Sequence, residues 1–443
     1  MPVLTRSMCR VLCRSLAATL LATGCGSTTE PGASGSLLVS PAVDTLPAGS
    51  QRQLVARVIR APGDTIPAPS VLWSSSDPDI AGVSADGIVT AVRSGQVTIT
   101  ALMQDERAIA VIQVERRFTA AMVAVGPQDV CALDPLGQAW CFGGNSSGQL
   151  GLGYTGALTS TFIEPVLGGH TFRTIGLGSS HACALATDGQ AWCWGSNYRR
   201  ELNQPIAMTS PRPLAVDPLR TWDTLVVNGS GETCGLSSGV TWCWGAGYYL
   251  LSRPFGDPSP IFASLAAGME MNCGLTSDGL ASCWLAVDSP YYDTYFGTAV
   301  TGVAIGSGFL CAVDPGGAAR CQGSNGNGQL GDGSTGDAAS PVTVAGSHQW
   351  AVLSAGERST CGLVTDGTAY CWGANESGQL GTGDSTEVHV PAAVATGLRF
   401  RSIATSGSGN SGSLSHRTCA ITTDSELFCW GAGRPPRPAP VVY

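Results

Sequence analysis

The sequence predicts an all-β chain: a small β-sandwich followed by a sevenfold repeat of cysteine-bracketed hairpins. Three observations carry that prediction. Glycine is abundant (59 residues), tryptophan is frequent (11) and charged residues make up only 12 % of the chain, a turn-rich profile poor in helix formers. Short alternating apolar segments crowd the stretch from Ser36 to Glu115. From Cys131 onward a unit such as "CALATDGQAWCWGSN" returns again and again. At 443 residues the chain is long enough for several domains with real cores.

The N-terminus comes first. Arg6, Arg10 and Arg14 precede an apolar run from Leu16 to Ala22, and small residues then lead to Cys25. A basic region, a short apolar run and small residues describe an export signal, too short to span a bilayer core of about 30 Å. The stretch resembles a bacterial lipoprotein signal (residues 1–24). That resemblance implies lipidation of Cys25 as the first residue of the mature chain. Ala22 stands where that motif more often has Leu, so ordinary secretory cleavage stays open. Losing residues 1–24, with three arginines and no acids, takes the net charge from −9 to −12. An acidic chain without a basic stripe is a poor partner for nucleic acid, and its membrane contact is expected only through the anchor. All 23 basic residues are arginine, which excludes a Walker-type phosphate loop and a pyridoxal Schiff base, both of which need lysine. No cofactor and no metal are expected.

Residues 25–35 read as a small, polar linker. Over residues 36–115, segments such as "RQLVARVI", "VLWSS", "QVTITA" and "AIAVIQV" give six or seven short strands separated by Pro, Gly and Asp, with Trp73 as the expected core anchor. The run from Val71 to Ala101 resembles the bacterial immunoglobulin-like group 2 domain, which implies an Ig-like sandwich without catalytic residues.

Over residues 116–443 the cysteines fall in seven pairs: Cys131–Cys141, Cys183–Cys193, Cys234–Cys243, Cys273–Cys283, Cys311–Cys321, Cys361–Cys371 and Cys419–Cys429. Each pair brackets a hairpin. With Thr187–Gly189 as the loop, Cys183 lands opposite Cys193 at a separation a disulfide accepts. In "CGLSSGVTWCWG" the spacing is nine, and a two-residue turn at Ser238–Gly239 restores the opposition. A disulfide requires that compensation. Zinc would need four ligands at closer spacing, and free buried thiols are the stronger rival.

Trp-Gly follows the second cysteine at Trp194, Trp244, Trp372 and Trp430, with Phe142, Trp284 and Gln322 as departures. "NSSGQLGLG", "NGNGQLGDG" and "NESGQLGTG" follow at Asn145, Asn325 and Asn375. This pattern resembles the regulator-of-chromosome-condensation repeat family, which implies a seven-bladed β-propeller. The strand at Phe118 and the Pro-Val segment at the C-terminus would be two halves of one blade, closing the ring and removing sheet edges.

No catalytic constellation stands out, and the chain is not read as an enzyme. His181 precedes Cys183, but the same position holds Asp129, Glu232, Met271, Phe309, Ser359 and Arg417 elsewhere, which fits a strand-end contact better than a general base. The units at Cys234 and Cys273 break the repeat. They lack Gly-Gln-Leu-Gly and carry Tyr248, Tyr249, Tyr291, Tyr292, Tyr295 and Phe296 instead. Tyrosine-rich loops on a rigid scaffold are recognition material; the alternative is that these rings cover a bare blade face. The function expected is non-catalytic recognition of a surface protein or glycan by the propeller rim of an exported, lipid-anchored envelope protein. Two rivals remain: a purely structural envelope component, and an enzyme with carboxylates in the central channel.

Overall fold

The computed structural model describes residues 36–61, 64–68, 70–205, 208–245, 249–254, 261–285, 293–406 and 416–443. The expected signal, Cys25 and the linker to residue 35 lie outside the described residues. Among the described residues all secondary structure is β, in 38 strands.

Residues 36–115 hold ten of these strands in three sheets, more than the six or seven expected. In the largest, Gly95–Met103 pairs antiparallel with Glu106–Glu115, and Val97, Ile99 and Ala101 alternate inward against Ala110, Ile112 and Val114. Leu37, Val39, Leu54 and Val58 complete that core. Trp73 is not its anchor. It is half-buried at the core's margin, because Leu72–Ser75 is an edge strand, and its ring lies over Gly87, where a Cβ would sit 2.9 Å from it.

Seven four-stranded antiparallel sheets follow, each built from four consecutive strands. The first strand of every sheet touches the first strand of the next: Met122–Val125, Phe172–Leu177, Thr224–Val227, Ser264–Ala267, Gly302–Ile305, Trp350–Ala355 and Phe400–Thr405. The last of these returns to Met122–Val125, so the ring closes as a propeller.

Closure repeats one bond. At successive junctions the residue entering a new first strand donates its N–H to the hairpin turn of the preceding sheet: Phe172 to Gly137 (2.7 Å), Trp222 to Gly189 (2.9 Å), Val300 to Gly279 (2.8 Å), Trp350 to Gly317 (2.8 Å) and Phe400 to Gly367 (2.8 Å). Between the seventh and first sheets, Ala120 donates to Ser425 at 2.8 Å. The expectation of two half-blades needs correcting in detail. Ala439–Pro440 already supplies the fourth strand of the seventh sheet, and the incoming chain bridges that sheet through Arg117–Val442 and Thr119–Glu426. Tyr443 then packs on Phe118 and Trp140, with the Arg116 guanidinium over its ring.

Candidate functional site

The hairpin is the unit from which every surface of the ring is made. Cys183 and Cys193 are opposed in register, and a disulfide joins them across a Cα separation of 4.1 Å. The other six pairs are joined in the same way, at Cα separations of 4.0–4.1 Å. In the short unit, Ser238 (φ 53°) and Gly239 (φ 78°) form a turn with both central residues left-handed, and Cys234 stays opposite Cys243. After the second cysteine a bulge at glycine turns the third strand. At Gly195 (φ 102°) a Cβ would meet the Ser180 carbonyl at 2.6 Å, which explains Trp-Gly as a pair. In the fourth sheet Leu285 replaces that glycine, and the third strand pairs with Asp293–Tyr295 without a register shift.

The Gly-Gln-Leu-Gly loops join neighbouring sheets. The Trp194 indole N–H donates to the Gln149 carbonyl of the preceding sheet (2.8 Å); Trp372 and Trp430 repeat this with Gln329 and Gln379, each at 2.9 Å. Trp244 does the same with Glu201 at 3.0 Å, which exposes a fourth loop that motif reading missed. "NYRRELN" keeps the Asn197 side chain capping the Leu202 N–H at 3.1 Å, just as Asn145 caps Leu150. Arg200 (φ 66°) and Asn203 (φ 50°) stand where Gly148 and Gly151 stand in the first loop. Asparagine four residues before Gln/Glu-Leu is the signal that would have found it. Two of the departures then make sense. Phe142 and Gln322 follow sheets whose sequence lacks the Asn-x-x-x-Gln/Glu-Leu pattern; Trp284 does too, and the pattern does not account for it.

The face that carries these loops also carries the start of each second strand, since Asp129 pairs with Gly143 and Glu232 with Gly245. The side chain there reaches toward the next sheet. Burial pushes the His181 imidazole down to about 4, and its Nε2 lies 3.1 Å from Thr233 Oγ1, the strand-end contact that its single use implied. The Asn272 amide donates to Glu232 Oε2 at 2.6 Å, yet burial holds that carboxyl up at about 8. For Asp129 the corresponding neighbour is Ala182, which has nothing to offer. Neither carboxylate oxygen accepts a hydrogen bond of good geometry, and burial outweighs the pull of Arg417 and of the nearby Asp129 and Gln128 backbone N–H groups and raises the group to about 7.

On the ring axis a cavity of about 230 Å³ is lined by all seven first strands and the turns that follow them. Val125, Leu177, Val227, Ile305, Ser354 and Thr405 represent its character, and none of its lining residues is ionisable. The channel-carboxylate alternative therefore finds no acid in this cavity. Tyr248, Tyr291 and Tyr292 fall outside the described residues. Tyr249 begins the strand Tyr249–Pro254 opposite Gly245, and Tyr295 ends Asp293–Tyr295 opposite Ala281. Phe296 is a correction. It is buried among Cys273, Cys283, Val300 and Ile305, because φ of 68° turns it into the core of the fourth and fifth sheets, so it presents no recognition surface.

Comparison with known proteins agrees with this architecture. The bacterial Ig-like domain (group 2) model matches residues 36–112, and models of the regulator of chromosome condensation (RCC1) repeat match residues 172–200, 351–379 and 366–414. Human WBSCR16 is similar in structure, with a TM-score of 0.60 at 17 % identity over 75 % of this chain and 93 % of that one. Prp20p of Saccharomyces cerevisiae gives a TM-score of 0.56 at 17 % identity over 65 % of this chain and 80 % of that one. Both likenesses concern the fold. Ice-binding protein 1 of Shewanella frigidimarina is 40 % identical over 67 residues, 15 % of this chain. The matched stretch spans 8 % of that relative's length. An Ig-like domain followed by RCC1-type propeller repeats is the organisation these matches support.

Proposed function

We propose that the protein is an exported recognition protein, tethered by a lipid on Cys25, whose propeller binds a surface protein or glycan without catalysis. The observation that carries this reading is the asymmetry of one face. Four sheets present a near-identical loop capped by Asn145, Asn197, Asn325 or Asn375; the third, fourth and seventh lack the motif, and of these the third and fourth stand side by side and carry tyrosine-rich segments in its place. Their third strands, Val240–Gly245 and Ala281–Leu285, end on that same face and lead into the tyrosine-rich segments. A scaffold whose regular loops give way over two neighbouring sheets to tyrosine-rich segments is the pattern of a recognition surface. The ionisable-free channel and the disulfides, suited to oxidising surroundings, support the same reading. So does Prp20p, a propeller of the same kind described together with its binding to Gsp1p and histones.

The test is a binding screen of the full chain against immobilised envelope polysaccharides and envelope proteins. It is repeated with Tyr248, Tyr249, Tyr291 and Tyr292 changed to Ser. Loss of at least tenfold in affinity, with the fold intact, is the expected result. Unchanged binding by the variant would move recognition elsewhere, and no ligand at all would leave a purely structural envelope role.

A further inference from the structure

Of the fourteen disulfide cysteines, thirteen are fully buried and one, Cys243, keeps part of its surface in solvent. It belongs to the pair with the shortened hairpin, Cys234–Cys243, separated by nine residues where the other six are separated by ten. That pair has a second distinction. The Glu232 carboxylate and the two sulfurs all lie within 4.8 Å of one another, the one such cluster of His, Cys, Asp and Glu among the described residues. The cluster is not a metal centre, because the sulfurs are bonded to each other at 2.04 Å and neither is a thiolate. What it assembles is a half-buried cysteine, a fully buried one and a proton-carrying group against both sulfurs.

We propose that Cys234–Cys243 is a thiol–disulfide exchange site for small-molecule thiols, with Cys243 the sulfur attacked and Glu232 the acid that serves the leaving sulfur. In the first step a thiolate forms a bond to Cys243 Sγ, and the bond to Cys234 Sγ breaks. The electron pair leaves on Cys234 Sγ, which takes the proton of Glu232. A second thiol then attacks the mixed disulfide at the small molecule's sulfur and frees Cys243. In sum, two thiols are oxidised to one disulfide and the protein disulfide is reduced to two thiols. Exchange depends on access to the attacked sulfur, which favours attack at Cys243, and on the leaving group; Cys234 is buried and would leave poorly as a bare thiolate, so the step needs the proton that Glu232 supplies.

The supporting contacts assign the roles. Asn272 donates to Glu232 Oε2, and Asn228 faces Asn272 at 3.5 Å, so neutral amides fix the carboxyl without supplying a charge that would hold it ionised. Burial keeps it protonated near neutral pH, the state a proton donor needs. Asp129, at the same place in the first sheet, makes no such cluster with Cys131 and Cys141. The partial exposure of Cys243 admits a small thiol more readily than a folded partner. This inference is independent of the recognition reading and stands or falls without it.

The experiment treats the oxidised full chain with excess reduced glutathione under native conditions, quenches at intervals with an alkylating reagent, and maps every cysteine by peptide mass. Cys234–Cys243 should open first, and the glutathione adduct should sit on Cys243. Glu232→Gln should slow that opening about 100-fold, within the usual range for a lost general acid, and leave the other six pairs unchanged. The proposal is overturned if another pair opens first, if all seven open in step, or if the adduct sits on Cys234. A slowing under about threefold, or equal slowing of all pairs, would remove Glu232 from the step. If the variant fails to fold, the order of opening and the adduct position in the unaltered protein still decide.

Discussion

Glu232→Gln also makes a thermodynamic prediction in which the pH window isolates one group. Its folded carboxyl sits at about 8 against 4.5 for an unperturbed glutamate. A raised folded value contributes stability that is fully present below the unfolded value and is lost as pH rises through the folded one. From pH 6.5 to 8.5 the unfolded chain has Glu232 ionised while the folded chain keeps its proton until about 8. Each pH unit in which the two states differ by one proton is worth ~1.4 kcal/mol, so the unaltered protein should lose about 2 kcal/mol from this group across the window. His181, depressed by burial, has its effect below pH 6.5 and drops out, and Asp129 is common to both proteins. Glutamine keeps a carbonyl for the Asn272 donor and has no proton to lose. Urea unfolding at pH 6.5 and 8.5, under conditions that leave the disulfides intact, reads the difference. Equal loss in both proteins would show that Glu232 is ionised in the folded state and would refute the burial argument.

Other outcomes follow from the same contacts. Trp194→Phe should destabilise more than Trp372→Phe, by about 1–2 kcal/mol in thermal or urea unfolding, because the Gln329 carbonyl keeps a second donor in Thr360 and the Gln149 carbonyl has no such hydroxyl. Ala182→Thr should give Asp129 the partner that Thr233 gives His181, raising stability at pH 8 by about 1 kcal/mol; unchanged stability, with Asp129 still titrating near 7, would contradict that. Tyr443→Ala should cost about 1–3 kcal/mol through lost packing on Phe118 and Trp140, and a cost near zero would show that this seam does not hold the ring. Replacing Cys131 and Cys141 together by Ala should cost about 2–3 kcal/mol, read from unfolding curves.

The ring was legible because its constraints are local. Ten-residue spacing, a turn glycine and alternating burial decide a hairpin within fifteen residues, and the nine-residue unit showed the compensation outright. The fourth inter-sheet loop was hidden because Arg200 and Asn203 adopt conformations that glycine usually signals. Trp73 misled because strand alternation says which residues share a face and not whether the strand lies at an edge. Phe296 misled for a related reason: an aromatic beside tyrosines reads as surface until its backbone turns it inward. The Glu232 cluster could not be read at all. It depends on Asn272, forty residues away on another sheet, and on the partial exposure of Cys243.

The claim most in need of a direct test is that the irregular arc at the third and fourth sheets does the recognising. The measurement is the affinity of the full chain for its best screened ligand, before and after residues 246–248 and 286–292, which join the third and fourth strands of their sheets, are each replaced by the regular loop of the fifth sheet, residues 325–336. Loss of binding in a variant that retains its disulfides and its cooperative unfolding is the result predicted. Retention of full affinity in that variant would contradict the account.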